Sequence, residues 1–308
     1  MNITDKIYHD EDAARQHLEQ IRWANGVNCP HCGGTEKCNH TKMMSKPSKK
    51  NPKSEEIKGY YLCGDCRKRF TVRTGTVYER SHIPLYKWVL ATHLMAASKK
   101  GMSAHQLHRM LGVTYKSAWF MAHRIREAMN DTNPPPMGGE GKSVQADETY
   151  FGQKDVVKKR TSRGKAGHAS KLSVVSLVSD GKSRTFHVDR ADTQSVREIL
   201  KKNVLSNSTL YTDESRLYTK TGQEFSSHQT VKHTAGEYWR DGVTTNNVEN
   251  FFSVFKRGMR GVYQHCSERH LQRYLSEFDF RYNTRDLDDD ERATLALKGA
   301  EGKRLMYA

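Results

Sequence analysis

Two sets of metal-binding side chains are spaced for chemistry in this chain. Cys29-Pro-His-Cys32 and Cys63-Gly-Asp-Cys66 are CxxC pairs, and each can form a tight turn offering two thiolates. Four thiolates close a tetrahedral Zn²⁺ site with no open position, so this zinc is structural. Asp147, Asp213 and Glu249 form the second set, with 35 residues between the last two. Three carboxylates brought together suit hard divalent cations with oxygen ligands, Mg²⁺ or Mn²⁺. Two such ions about 4 Å apart can activate a nucleophilic oxygen and stabilise the oxygen that leaves a phosphodiester. Lys256 follows Glu249 by seven residues, two helical turns, and projects from the same face toward a phosphate. Glu148, Asp155, Glu214 and Glu237 are acids of the same type. Strand context, order and spacing single out the three.

These acids need a frame, and the pattern after residue 142 supplies one. Val144–Asp147 is a short strand that reaches the first acid, and Leu172–Val178 (LSVVSLV) is β-rich. Asp180-Gly181 is a strong hairpin signal, with Arg184–Val188 as the return strand. Thr193–Val204 has helical amphipathicity, capped by Asp192 or Thr193. Thr209–Asp213 is a strand ending in the second acid, and Gln229–His233 is a further candidate strand. Helices over Asn247–Gly258, which carries Glu249, and Ser267–Arg285 close the region. This order describes a mixed sheet with flanking helices, an α/β layer fold.

The first half is organised differently. From Lys37 to Arg69 there are ten Lys/Arg and three acids. The centre of that stretch, KPSKKNPKSEE, lacks apolar periodicity and is expected to be a flexible basic loop. It explains the 30 residues between the two CxxC pairs, because the cost of closing a loop grows only logarithmically with its length. Cys38 and Cys266 stand outside the pairs and are expected to be free thiols. Residues 84–130 are helical in pattern, opening on the stripe Leu85, Trp88, Val89, Thr92 and Leu94. Within them, 100–129 predicts a helix-turn-helix. Ser103 caps a helix with Leu107, Met110 and Leu111 on one face, Gly112 permits a left-handed turn, and Thr114 caps the next helix. In the second helix Trp119, Met121, Ala122 and Ile125 form the apolar side. Lys116, His123, Arg124 and Arg126 are then placed to meet phosphates or bases. Asn133-Pro134-Pro135-Pro136 breaks the helical pattern as a linker.

Composition narrows the partners. The 308 residues carry 51 Lys+Arg against 35 Asp+Glu, a formal net charge of +16, and mean hydropathy is −0.84. Such an excess attracts a polyanion, with nucleic acid first. No apolar run approaches the roughly 20 residues of a membrane span. The first residues are acidic and polar, without the apolar segment of a secretory signal. The expectation is a cytoplasmic, nucleoid-associated protein whose cysteines serve metal rather than disulfides.

With these residues in hand, the chain resembles the IS1595-type (ISXO2-like) insertion-sequence transposases of the DDE superfamily. The resemblance covers nearly the whole chain. It runs through the four cysteines, LGVTYKSAWFMAHRIREAM, VQADETYFG at 144–152 and YTDES at 211–215. Its most specific block is NNVENFFSVFKRGMRGVYQHCSERHLQRYLSEFDFRYNTR at 246–285. It implies an RNase H-like mixed-sheet core preceded by a zinc ribbon and a helix-turn-helix. The expected boundaries are 1–82 for the ribbon and basic insert, 83–132 for the helix-turn-helix, 133–142 for the linker and 143–308 for the catalytic domain. It also implies cleavage of DNA 3′ ends at inverted repeats and their transfer to target DNA. Asp147, Asp213 and Glu249 would be metal ligands and Lys256 a DNA contact; Lys116, Arg124 and Arg126 remain DNA-binding candidates from the helix pattern itself. Two ends must meet, so a homo-oligomer on DNA is implied. The alternatives are a non-enzymatic zinc/helix-turn-helix regulator and a catalytically decayed transposase.

Overall fold

The computed structural model describes residues 2–35, 41–47, 53–155 and 170–305. Cys38 and residues 48–52 of the basic insert lie outside them. The chain divides into two compact units. One comprises Met1–Ser98, Ala104–Met129 and Leu287–Ala308, the other Lys99–Ser103 and Asn130–Asp286. Among the described residues, no helix is long and apolar enough to cross a membrane.

The first unit opens on α1 (Glu11–Arg22), capped by Asp10, whose carboxylate accepts from Ala13 N at 2.7 Å. A three-stranded antiparallel sheet follows, β1 (Thr41–Met44), β2 (Glu56–Leu62) and β3 (Arg69–Phe70). β1 and β2 are the arms of the basic insert, paired Thr41 to Leu62 and Lys42 to Tyr61. The expected loop is thus shorter than its composition suggests. Backbone pairing does not require apolar side chains, and both faces of this hairpin are largely exposed. Helices α2 (Leu85–Ala97), α3 (Ala104–Leu111) and α4 (Tyr115–Met129) come next. α2 buries Leu85, Trp88, Val89, Thr92 and Met95 and packs against α1, α4 and the last helix, α9 (Asp289–Lys298).

α9 changes the expected boundaries. The sequence places 143–308 in one domain, but 287–308 belongs to the first unit. Ala293, Ala296 and Leu297 are buried on α9, and small side chains let it approach its neighbours closely. Gly299 marks the closest point: a Cβ there would lie 2.2 Å from the Ala128 carbonyl oxygen. Backbone bonds fasten the segment that follows, Val77 N to Ala300 O at 3.1 Å and Gly302 N to Gly75 O at 2.9 Å. The ribbon and the helices therefore share one compact unit instead of forming two.

The second unit is a five-stranded mixed sheet with helices on both faces. Its strands are β4 (Ser143–Phe151), β5 (Leu172–Ser179), β6 (Lys182–Val188), β7 (Thr209–Asp213) and β8 (Ser227–Val231), in spatial order β6-β5-β4-β7-β8. The first three pair antiparallel; β4–β7 and β7–β8 are parallel. Asp180 (φ 48°) and Gly181 (φ 71°) form the two-residue turn between β5 and β6, both left-handed as a tight hairpin demands. All eight residues of β5 are buried, because both of its faces are covered. On one side Leu172, Val174 and Val178 meet α7 (Asn246–Gly258) and α8 (Leu271–Asn283) through Phe251, Phe255, Leu275 and Phe278. On the other, Val175 and Leu177 join Val144, Ala146 and Leu210 under α5 (Thr193–Asn203) and α6 (Arg216–Gly222). Asp192 caps α5, accepting from Ser195 N at 2.9 Å. α6 has no signal in the sequence reading; its single buried edge is Tyr218, Thr221 and Gly222.

Candidate functional site

The carboxylates are positioned by strand register. Gln145 on β4 is level with Tyr211 on parallel β7, and paired residues of parallel strands face the same way. Two residues further along each strand stand Asp147 and Asp213, so both acids point to one face of the sheet. That face carries α7, whose first turn is pinned to β4: Asn247 N donates to Gln145 Oε1 at 3.1 Å. Glu249 lies in the same turn. Its Oε1 accepts from Thr245 Oγ1 at 2.7 Å and lies 3.3 Å from His233 Nε2.

Burial pushes the Asp147 carboxyl up to about 8, reinforced by Glu148, Asp213 and Glu249; the Glu148 amide, donating to Oδ1 at 2.8 Å, works against it. A carboxylate held this way needs a positive charge to ionise. Lys256, half-buried two turns along α7, has its ammonium pulled down by burial and by Arg260, while Asp147 opposes that shift. The lysine and the first acid therefore share one neighbourhood.

The other acids have separate partners. Glu148 faces the α5/α6 side, where the fully buried Tyr218 hydroxyl donates to its Oε2 at 2.8 Å. Asp155 accepts from Ser267 Oγ at 2.7 Å. Glu214 accepts from Thr234 N at 3.1 Å, which holds its carboxyl below the usual range. Glu237 accepts from Lys232 N at 3.1 Å and pairs with Arg240 at 3.5 Å.

The four cysteines converge. Their sulfurs lie within 4.8 Å of one another, with Cys29–Cys66 and Cys32–Cys63 each at 3.7 Å. Sulfurs tetrahedral around zinc at about 2.3 Å would stand about 3.8 Å apart, so the cluster fits the ion. Both pairs are built as the same turn. Gly33 N returns to Cys29 O at 2.9 Å, and Arg67 N to Cys63 O at 3.1 Å. Against burial, amides of Cys66 and Asp65 bring the Cys63 thiol down to about 6. One thiolate is thus ready near neutral pH. Trp23, Tyr61 and Phe70 brace the ribbon, with ring centroids 5.3 to 6.0 Å apart.

The expected DNA contacts of α4 need correction. Lys116 is exposed, but Arg124 is 9% exposed and Arg126 2% exposed, and His123 is wholly buried. Arg124 donates through Nη1 to the carbonyls of Val77 at 2.8 Å and Glu79 at 3.1 Å, and lies over Phe120. The reason is packing: the C-terminal half of α4 is enclosed, so its charged side chains turn inward. Conversely Met110, expected on the apolar face of α3, is 46% exposed, and so is Tyr115 at 45%. The turn itself is as read, with Gly112 left-handed (φ 58°) and Thr114 accepting from Ser117 N at 3.2 Å. Cys266 is buried, its thiol donating to Ser267 O at 3.3 Å.

A mixed-sheet unit bearing two acids on one face of neighbouring strands, with a four-cysteine ribbon in the same chain, defines a class that comparison makes specific. Residues 138–283 match the ISXO2-like transposase domain and residues 9–69 the transposase zinc-ribbon domain. Both are models of the IS1595 transposase family, and between them they match about two thirds of the chain. An uncharacterized protein in transposable element ISH50 of Halobacterium salinarum is 29% identical over 292 residues, 90% of this chain and 92% of the relative. Among solved structures, a simian T-cell lymphotropic virus intasome in complex with PP2A regulatory subunit B56 gamma has a chain 13% identical, with a TM-score of 0.28. That match covers 62% of this protein, which spans about 64% of that chain's length.

Proposed function

We propose that the protein is a DNA transposase that binds the inverted-repeat ends of its element, cuts them at the 3′ strand and joins them to target DNA. The observation that carries the reading is the register that turns Asp147 and Asp213 to one face, with α7 pinned there by Asn247 and bringing Glu249 to it. The strand order, three antiparallel strands followed by two parallel ones, supports reading this unit as an RNase H-like core. Asp147, Asp213 and Glu249 are the ligands for Mg²⁺ or Mn²⁺, and the raised Asp147 carboxyl is what a carboxylate cluster awaiting a cation should show. Divalent ions there supply the charge that activates water or a 3′ hydroxyl and stabilises the leaving oxygen. Lys256 then holds a phosphate of the bound strand beside Asp147.

The ribbon with zinc, and the exposed start of α4 with Lys116, form the end-binding part. Arg124 and Arg126 act inside the fold. Two ends have to be held at once, which makes the working form a homo-oligomer on DNA. The test is nicking of a plasmid carrying the element's ends, with Mg²⁺ or Mn²⁺ and then with chelator. Metal-dependent cuts at the ends support the reading. Tight end binding without any cut leaves a DNA-binding regulator and overturns it.

A further inference from the structure

The loop from β8 to α7 displays the two most exposed large apolar side chains among the described residues, Trp239 at 62% and Tyr238 at 55%. Exposure of this kind often marks a frayed segment, but this loop is tied down along its length. Lys232 N donates to Glu237 Oε2 at 3.1 Å, and Glu237 N to Lys232 O at 3.0 Å. Arg240 and Val243 exchange backbone bonds of 3.0 and 2.8 Å around a two-residue turn, with Asp241 and Gly242 both left-handed. Arg240 Nη2 reaches back to Thr230 O on β8 at 2.7 Å. Thr244 Oγ1 donates to Tyr238 O at 3.0 Å and accepts from Asn246 N, the first amide of α7. Val243 supplies the buried anchor. The two rings are held out by a fixed backbone.

Their position is equally defined. Tyr238 packs edge-on against the His233 ring at 5.2 Å, and His233 Nε2 is 3.3 Å from the Glu249 carboxylate. Tyr238 therefore stands one side chain away from the third acid of the proposed active site, and Trp239 is its neighbour in the chain. Acids close by disfavour a phosphate at this spot, whereas an aromatic face accepts the π-face of any base. A protein partner would bury such rings as well, but the neighbours here are the groups that would face a strand being cut.

We propose that Trp239, supported by Tyr238, is a stacking platform for an unpaired nucleobase of the DNA strand next to the Asp147–Asp213–Glu249 site. The inference rests on the transposase reading for its placement, and its test does not depend on cutting. Binding of the full chain is compared, without divalent metal, on a duplex with a short single-stranded thymidine overhang and on a blunt duplex of equal length. Trp239→Ala should weaken binding to the overhang DNA roughly tenfold and leave the blunt duplex unchanged. Trp239→Phe, which keeps a ring, should restore most of the preference. Equal loss on both DNAs, or loss on neither, overturns the platform. So does a change in oligomeric state of DNA-free Trp239→Ala, which would make the surface an interface between copies of the chain. If the wild type prefers the overhang but never nicks the plasmid, the platform stands and the transposase reading falls.

Discussion

The four-cysteine cluster and the proposed carboxylate site of this chain are prepared to different degrees. Four sulfurs already sit at the spacing that zinc requires. No three carboxylates among the described residues approach each other that closely, and Glu249 is engaged with Thr245 and His233. The difference follows from charge and locality. Each cysteine pair comes from one short turn, and neutral thiols tolerate close approach. The acids come from a strand centre, a strand end and a helix, and a buried carboxyl resists ionising, so burial, reinforced by the neighbouring acids, drives Asp147 up to about 8.

The sharpest way to break this comparison is to remove one charge from the acid cluster. Asp147→Asn keeps size and should lower metal-dependent nicking by several orders of magnitude, as expected of groups that act as a unit. Glu148→Gln is the control. Its amide oxygen can still accept from the Tyr218 hydroxyl on the opposite face, so nicking should stay within about tenfold of wild type. Nicking rates on one plasmid decide it. A dead Glu148→Gln beside an active Asp147→Asn would mean that metal binds on the α6 side of the sheet.

The ribbon should answer with folding instead of rate. Zinc bound to four cysteines contributes on the order of 10 kcal/mol to modules of this size. Cys63→Ser removes one of the four proposed zinc ligands. The variant should purify without zinc and lose the near-UV signal of Trp23, Tyr61 and Phe70, while the five-stranded unit still unfolds cooperatively. Retention of one zinc per chain would contradict the four-cysteine assignment.

How much of this was legible beforehand depended on how local the cause was. The CxxC turns, the Asp180-Gly181 hairpin and the strand ending in Asp213 are set by neighbours in sequence, and each stands where the pattern placed it. The β1–β2 arms escaped because backbone pairing leaves no apolar trace in a polar stretch. α6 is seven residues long, about two turns, too short for periodicity to register. The return of 287–308 to the first unit and the burial of Arg124 escaped for another reason. Both depend on which distant surface receives them, and sequence spacing carries no record of that surface.

Arg124 and Lys116 sharpen the comparison on one helix. Arg124→Ala leaves the carbonyls of Val77 and Glu79 without their charged donor, and should cost about 2 kcal/mol in denaturant unfolding. Its effect on DNA selectivity, measured where the variant is folded, should be nil. Lys116→Ala should do the reverse, leaving stability unchanged and reducing the slope of log affinity against log salt by about 1. A selectivity change in folded Arg124→Ala would return that arginine to the DNA surface.

The smallest effect sets one zinc turn against the other. Gly33 and Arg67 each lie four residues after the first cysteine of their pair, and both are left-handed, at φ 73° and φ 57°. Glycine adopts that conformation freely, whereas a residue with a Cβ is strained there by about 1–2 kcal/mol. Arg67 is exposed, so no burial offsets the strain. Arg67→Gly relieves it but gives the unfolded chain more freedom, which returns part of the gain. The net expectation is a ribbon more stable by up to about 1 kcal/mol with its zinc content unchanged. Gly33→Ala meets nothing within 4 Å, so it isolates the strain alone and should destabilise by about 1 kcal/mol. Thermal unfolding of the zinc-loaded chain measures both. A loss of stability in Arg67→Gly would show that the arginine makes a folded-state contact worth more than the strain of its backbone.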